Sequence, residues 1–245
     1  MAGRDWYGDP VKLTIYIPTY DRPADLKRLL DAVYPQLVDG VELIVSDNHG
    51  SARDLVAQYD GVRYVKRWTD IGCDGNCLSG VFAGTGEYVW VIGDDDKPMA
   101  GAVDYILRHV DGIDRLILTS SVAGETPVGF FGTMRDLWNL LSDKSFIVAS
   151  TLCSMNVWRR SVMNVGEGVK HLDSRNVLAW TGLGCWSVRV ASVPLMSVGR
   201  EHQVTFAGFG ETMAAYTDEL ADAIGVGRLP FQNFGRWNYT NAKAR

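Results

Sequence analysis

Leu13-Thr14-Ile15-Tyr16-Ile17-Pro18-Thr19-Tyr20-Asp21-Arg22-Pro23 is the stretch that decides the fold. Its first five residues put apolar side chains at every second position, the period of a strand, and Pro18 is expected to end the run. Asp21 then offers an N-cap, and Pro23 falls in the first turn of a helix whose apolar face is Leu26, Leu29, Leu30 and Val33. The same alternation continues along the chain. Residues 41–45 and 62–65 read as strands, Leu78, Val81 and Phe82 mark a helix, and residues 88–92 read as another strand. Strands alternating with helices predict an α/β fold with a mostly parallel sheet flanked by helices.

In such sheets ligands bind outside the carboxyl ends of the strands. Thr19, Tyr20 and Asp21 follow the first strand, and Ser46, Asp47 and Asn48 follow the second. The apolar run Tyr88-Val89-Trp90-Val91-Ile92 ends in Gly93-Asp94-Asp95-Asp96. All three clusters are therefore expected at one edge. Three adjacent carboxylates repel one another, and hard oxygen ligands suit Mg2+ or Mn2+, so Asp94, Asp95 and Asp96 are the candidate metal ligands. A solvated acidic turn is the plainer reading of the triplet alone, and convergence with the other two clusters argues against it.

The segment after the first strand excludes two familiar nucleotide folds. A dinucleotide-binding unit needs Gly-x-Gly-x-x-Gly there and a phosphate-loop NTPase needs Gly-x-x-x-x-Gly-Lys-Ser/Thr, whereas this chain has Pro18 to Pro23. The glycines between Gly72 and Gly80, and Gly208-Phe209-Gly210, read as turns and tight helix packing. With 245 residues, 47% of them hydrophobic, the chain can bury a substantial core. No apolar stretch approaches the roughly 20 residues of a membrane span and no signal peptide is evident, so a cytoplasmic protein is expected. Cys73, Cys77, Cys153 and Cys185 suit reduced thiols rather than a disulfide framework. Residues 1–150 carry 14 Lys and Arg against 22 Asp and Glu, while residues 151–245 carry 10 against 7. The mildly basic back half could help hold an anionic acceptor.

Three segments, Ile17-Pro18-Thr19-Tyr20-Asp21-Arg22, Glu42-Leu43-Ile44-Val45-Ser46-Asp47-Asn48 and Gly86-Glu87-Tyr88-Val89-Trp90-Val91-Ile92-Gly93-Asp94-Asp95-Asp96, occur in this order. Together they resemble the family 2 glycosyltransferases of GT-A fold, in particular the abequosyltransferase-like branch with Gly-Asp-Asp-Asp. The resemblance covers roughly the first 110 residues. It implies a Rossmann-like sheet with a mixed acceptor-side C-terminal region, a nucleotide-diphosphate sugar donor, and a divalent cation, Mn2+ or Mg2+. It also implies donor contacts from Pro18, Thr19, Tyr20, Asp21, Asp47, Asn76 and Asp94, with Asp94, Asp95 and Asp96 as metal ligands. Two departures are plain: Gly93 stands where many members open the motif with an acidic residue, and Asp74-Gly75-Asn76 lacks the arginine of the usual Ala-Arg-Asn.

Transfer of a sugar to a hydroxyl also needs a base. Relatives carry a carboxylate after an Arg-Arg/Glu turn and a Gly-rich segment, which here points to Asp173; a helix N-cap is its structural alternative. His171 is the second candidate, as a base or an extra metal ligand, and His202 has less to recommend it. The organisation expected is a donor-binding half at 1–120, an acceptor and catalytic half of the same domain at 121–224, and an irregular aromatic tail at 225–245. Trp180, Trp186, Phe206, Phe209, Tyr216, Phe231, Phe234, Trp237 and Tyr239 supply aromatic faces for an acceptor pocket, or for core packing and a homo-oligomer contact. The resulting expectation is a metal-dependent, inverting glycosyltransferase acting on a glycan, a lipid-linked saccharide or a modified DNA base. A catalytically silent sugar-nucleotide-binding module and a sugar-phosphate nucleotidyltransferase are the alternatives.

Overall fold

The computed structural model describes residues 11–120, 126–141, 146–147, 150–174, 176–183, 185–197 and 209–227, the backbone alone for 209–214. The strands are β1 (Leu13–Thr19), β2 (Val41–Asp47), β3 (Arg63–Lys66), β4 (Tyr88–Val91), β5 (Lys97–Pro98), β6 (Arg115–Ser120), β7 (Phe131–Thr133), β8 (Asn156–Arg159) and β9 (Ser187–Ser197). The helices are α1 (Pro23–Val33), α2 (Arg53–Val56), α3 (Gly72–Ala83), α4 (Ala102–His109), α5 (Met134–Leu140), α6 (Val165–Lys170), α7 (Val177–Thr181) and α8 (Phe209–Ile224). One mixed sheet runs in the order β3-β2-β1-β4-β8-β6-β9-β5, with β7 paired to β9.

β1 is buried on both faces because helices cover both. Leu13, Ile15 and Ile17 pack with the apolar face of α1, whereas Tyr16 joins Ile44, Val89 and Val91 against Leu78 and Val81 of α3. Gly80 permits that approach: a Cβ there would stand 2.9 Å from the Tyr16 ring and 3.0 Å from Val91. β1, β2, β3 and β4 are mutually parallel, but β8 runs antiparallel to both β4 and β6. The mixed region of sheet expected after the parallel strands is therefore present, and one sheet runs through both.

Several local expectations change. β1 continues past Pro18, since Tyr16 turns its carbonyl to the Ile92 N–H of the β4 chain. By two-residue alternation the Pro18 nitrogen faces the same side, where β4 pairing has already ended at Val91, so its missing N–H costs no ladder bond. Arg22, not Asp21, is the α1 N-cap residue, without a side-chain cap. Asp21 instead adopts φ +51, a left-handed backbone that aspartate tolerates, and faces His49 Nδ1 at 3.3 Å. Phe82 lies off the buried face of α3, and Phe209 and Gly210 belong to α8 rather than to a turn. His202, Phe206 and residues 228–245, with Phe231, Phe234, Trp237 and Tyr239, fall outside the described residues. Among the described residues, no helix is long and apolar enough to cross a membrane.

Candidate active site

The strand order reverses at β1. The chain passes from β1 to β2 and β3 on one side and then returns to lay β4 on the other, which creates a crevice at the β1–β4 carboxyl ends. Thr19 and Asp94 meet there: the Thr19 hydroxyl donates to Asp94 Oδ2 at 2.7 Å, and Arg22 Nη1 lies 3.1 Å from Asp94 Oδ1 and 4.0 Å from Asp95 Oδ2. Burial pushes the Asp94 carboxyl above the usual carboxylate range against the pull of Thr19 and Arg22, and Asp95 pushes in the same direction. The turn is held from behind, where Ser154 Oγ accepts the Gly93 N–H at 2.9 Å and the Ser154 carbonyl accepts Trp90 Nε1–H.

Gly93 leaves room for the two carboxylates that follow it. A Cβ at Gly93 would lie 3.1 Å from Asp95 Oδ1 and 3.3 Å from Asp96 Oδ2, because both carboxylates fold back over it. Asp94, Asp95 and Asp96 offer the oxygen ligands a hard divalent cation takes, with one guanidinium beside them, and in this chemistry, though not as three oxygens gathered on one point, they fit such an ion.

Asp47 and Asn76 do other work than expected. Asp47 is fully buried: Oδ1 accepts the His49 and Gly50 N–H groups, and Oδ2 accepts the Ala52 N–H and the Tyr64 hydroxyl, all within 2.9 Å. Four protein donors fill its acceptor positions, so it organises the β2 loop rather than presenting oxygens to a base or ribose. Burial raises its carboxyl, yet the Gly50, Ala52, His49 and Tyr64 hydrogen bonds outweigh this and hold it below the ordinary range; Tyr64 is pushed up to about 12. Asp47→Ala is therefore expected to cost about 3 kcal/mol of stability through orphaned donors, and to lower donor affinity only through the loop. A thermal melt that matches the parent, with donor binding lost, would return Asp47 to direct contact. Asn76 is likewise buried, accepting from the Tyr16 hydroxyl at 3.0 Å and donating to the Ser46 carbonyl at 3.0 Å. Its amide ties α3 to β1 and β2.

The adjacent Asn48 is expected at this edge as part of the second cluster, but the sequence assigns it no contact of its own. Its Nδ2 donates to Asp70 Oδ1 at 2.8 Å and the Gly72 carbonyl at 3.2 Å, two acceptors that fix which end of the amide is which. Oδ1 is left buried without a partner. Tyr20 and His49 stand nearby with ring centroids 5.4 Å apart, and Trp68, wholly exposed, follows β3. Pro18 is half-buried, and Tyr20 and Asp21, which follow Thr19 at the end of β1, are exposed.

Asp173 and His171 lie elsewhere. They line an open cleft of about 560 Å³ with Lys170, Ser174, Trp180 and Glu219, and no residue of the acidic triplet lines it. Asp173 is exposed in the turn after α6 and is not an N-cap, since Asn176 holds that position on α7. The two regions share α3, whose Asp74 accepts the Val177 N–H of α7. Trp180 and Tyr216 are core residues packed edge to face, whereas Trp186 is exposed.

The sequence profile described as "Glycosyl transferase family 2" matches residues 14–158. The chain belongs to this family. The family match contains Thr19, Asn48 and the acidic triplet and stops short of Glu167, His171 and Asp173. A "GalNAc(5)-diNAcBac-PP-undecaprenol beta-1,3-glucosyltransferase" from Campylobacter jejuni is 27% identical over 107 residues, 41% of this chain and 35% of that protein. Among solved structures, S. aureus TarS 1–349 in complex with UDP-GlcNAc has a TM-score of 0.59 at 16% identity, covering 86% of this chain and 67% of that one. The Pyrobaculum calidifontis mannosyltransferase PcManGT, in complex with GDP-Man and Mn2+, has a TM-score of 0.54 at 16% identity, covering 89% and 66%. The fold is that of these GT-A glycosyltransferases, and the chain spans about a third of the curated relative's length.

Proposed function

We propose that the protein is a metal-dependent, inverting glycosyltransferase that moves a sugar from a nucleoside-diphosphate donor to an acceptor hydroxyl. The observation that carries this reading is the crevice at the strand-order reversal, where Thr19, Arg22 and Asp94 meet beside the buried, unsatisfied Asn48 Oδ1. An orphan acceptor at this depth is costly unless a ligand N–H or O–H fills it, and a nucleobase or ribose supplies one. Tyr20, His49 and Trp68 offer faces on which a base can stack. When bound, a divalent ion at Asp94, Asp95 and Asp96 supplies charge stabilisation for the leaving diphosphate.

Asp173 is the proposed base. Its exposed carboxylate can take the acceptor proton when the donor sugar and the attacking hydroxyl meet within its hydrogen-bond reach. A lipid-linked saccharide or glycan is the favoured acceptor, consistent with the undecaprenol-linked substrate in the Campylobacter relative's name. Four free thiols suit a cytoplasmic setting. The Gly-Asp-Asp-Asp signature favours the abequosyltransferase-like branch.

Without the ion, a diphosphate would face three bare carboxylates. Calorimetry of UDP and GDP should therefore show binding in Mn2+ that is at least tenfold weaker in excess chelator, on the order of 1.4 kcal/mol or more. Equal affinity in both would remove the metal-diphosphate reading. Release of nucleoside diphosphate from a sugar donor separates an enzyme from a silent binding module.

A further inference from the structure

The geometry points to a second metal site, distinct from the acidic triplet, in which Glu167, His171 and Glu219 bind a divalent transition ion of the zinc or cobalt kind. This inference does not rest on the donor reading. One ligand atom from each of the three residues lies within 4.8 Å of the other two. Glu167 belongs to α6 and His171 follows it directly, whereas Glu219 comes from α8, so residues distant in sequence converge on one point. His171 Nε2 faces Glu167 Oε1 at 3.4 Å.

Two of the three ligands are already oriented. The His171 ring lies flat on buried Trp180, with centroids 3.7 Å apart and planes 8° from parallel, which fixes the direction of its nitrogens. Lys170 Nζ binds Glu167 Oε2 at 2.8 Å and leaves Oε1 turned toward the histidine. The Asn164 side chain accepts the Glu167 N–H at 3.2 Å and so anchors the start of α6. An outer partner that orients a ligating group is the usual support of a metal site.

The chemistry of the set separates it from the triplet. An imidazole with two carboxylates suits zinc, cobalt or manganese, whereas an oxygen-only cluster suits magnesium. His171 and Glu219 line the open cleft and Glu167 stands within 4.8 Å of both, so the ion has an entry path and coordination positions remain for water or a substrate oxygen. A bare ion pair between protonated His171 and Glu167 is the competing account.

The test uses the full chain in excess Mg2+, which occupies the oxygen-only triplet, with Co2+ added and followed by calorimetry and visible absorption. One equivalent of Co2+ is expected to bind with a spectrum lacking a thiolate charge-transfer band, and the ion should raise the melting temperature by joining α6 to α8. His171→Gln and Glu219→Gln should each weaken binding by about 10- to 100-fold or more, since even an outer-shell partner is worth that much. Glu219 is exposed, so its variant keeps the test independent of folding, and circular dichroism checks both. Absence of Co2+ binding, undiminished affinity in His171→Gln, or a thiolate band that moves the ion to cysteine would each overturn the site.

Discussion

Asp94→Asn should lower turnover on the order of 10³-fold while the ion-free protein melts no earlier than the parent. The two halves of this expectation have one cause. Asp94 is buried beside Asp95 and relieved only by Thr19 and by Arg22, whose side chain is 42% exposed and whose attraction is partly screened by water. Its folded pKa lies above the unfolded value, so the folded chain takes up a proton there more readily than the unfolded chain does. At neutral pH the ionised carboxylate therefore works against folding, and this penalty fades as pH falls through the folded pKa. Asparagine keeps the Thr19 hydrogen bond and removes the charge, and with it the oxygen ligand a cation needs. Donor turnover in Mn2+ and melting curves in chelator at neutral pH provide the check. Normal turnover would transfer the role to Asp95 and Asp96, and a large drop in melting temperature would make Asp94 a structural residue.

The parallel half of the sheet was legible because parallel strands obey a simple rule. Once Leu13, Ile15 and Ile17 announce β1 and residues 88–92 announce β4, the carboxyl ends of both must share an edge, and Thr19 must approach Asp94. Side-chain direction within that edge was not legible. Aspartate after a strand can face a ligand or its own loop, and only the fold of residues 48–52 turns Asp47 inward onto three backbone donors. Long-range partners were equally silent: Ser154, which steadies Gly93, comes 61 residues later, and Asn48 is held by Asp70. Antiparallel β8, wedged between β4 and β6, breaks the strand-helix rhythm, so beyond residue 120 periodicity no longer fixes which elements meet. The cleft around Asp173 closes only when α8 brings Glu219 back across α6 and α7.

Asp173→Asn should reduce turnover by about 10²- to 10⁴-fold while metal and donor binding persist. The substitution keeps size and polarity but cannot take a proton, so it isolates the base function. Separation of binding from chemistry is expected on structural grounds as well. Asp173 is exposed in the turn after α6 and no triplet residue borders its cleft, so its loss leaves the Thr19–Asp94 crevice untouched. Nor should the fold suffer, since Asn176 rather than Asp173 occupies the N-cap position of α7. Donor affinity from calorimetry, beside single-turnover transfer to an acceptor, measures the two effects independently. Loss of donor affinity would recast Asp173 as a donor-holding residue. Normal turnover would move the base to another group, and His171 in the same cleft is the next candidate. His171→Gln would then lose turnover with donor affinity retained, whereas a histidine that serves only as a ligand beside Glu167 and Glu219 would show its loss first in Co2+ affinity.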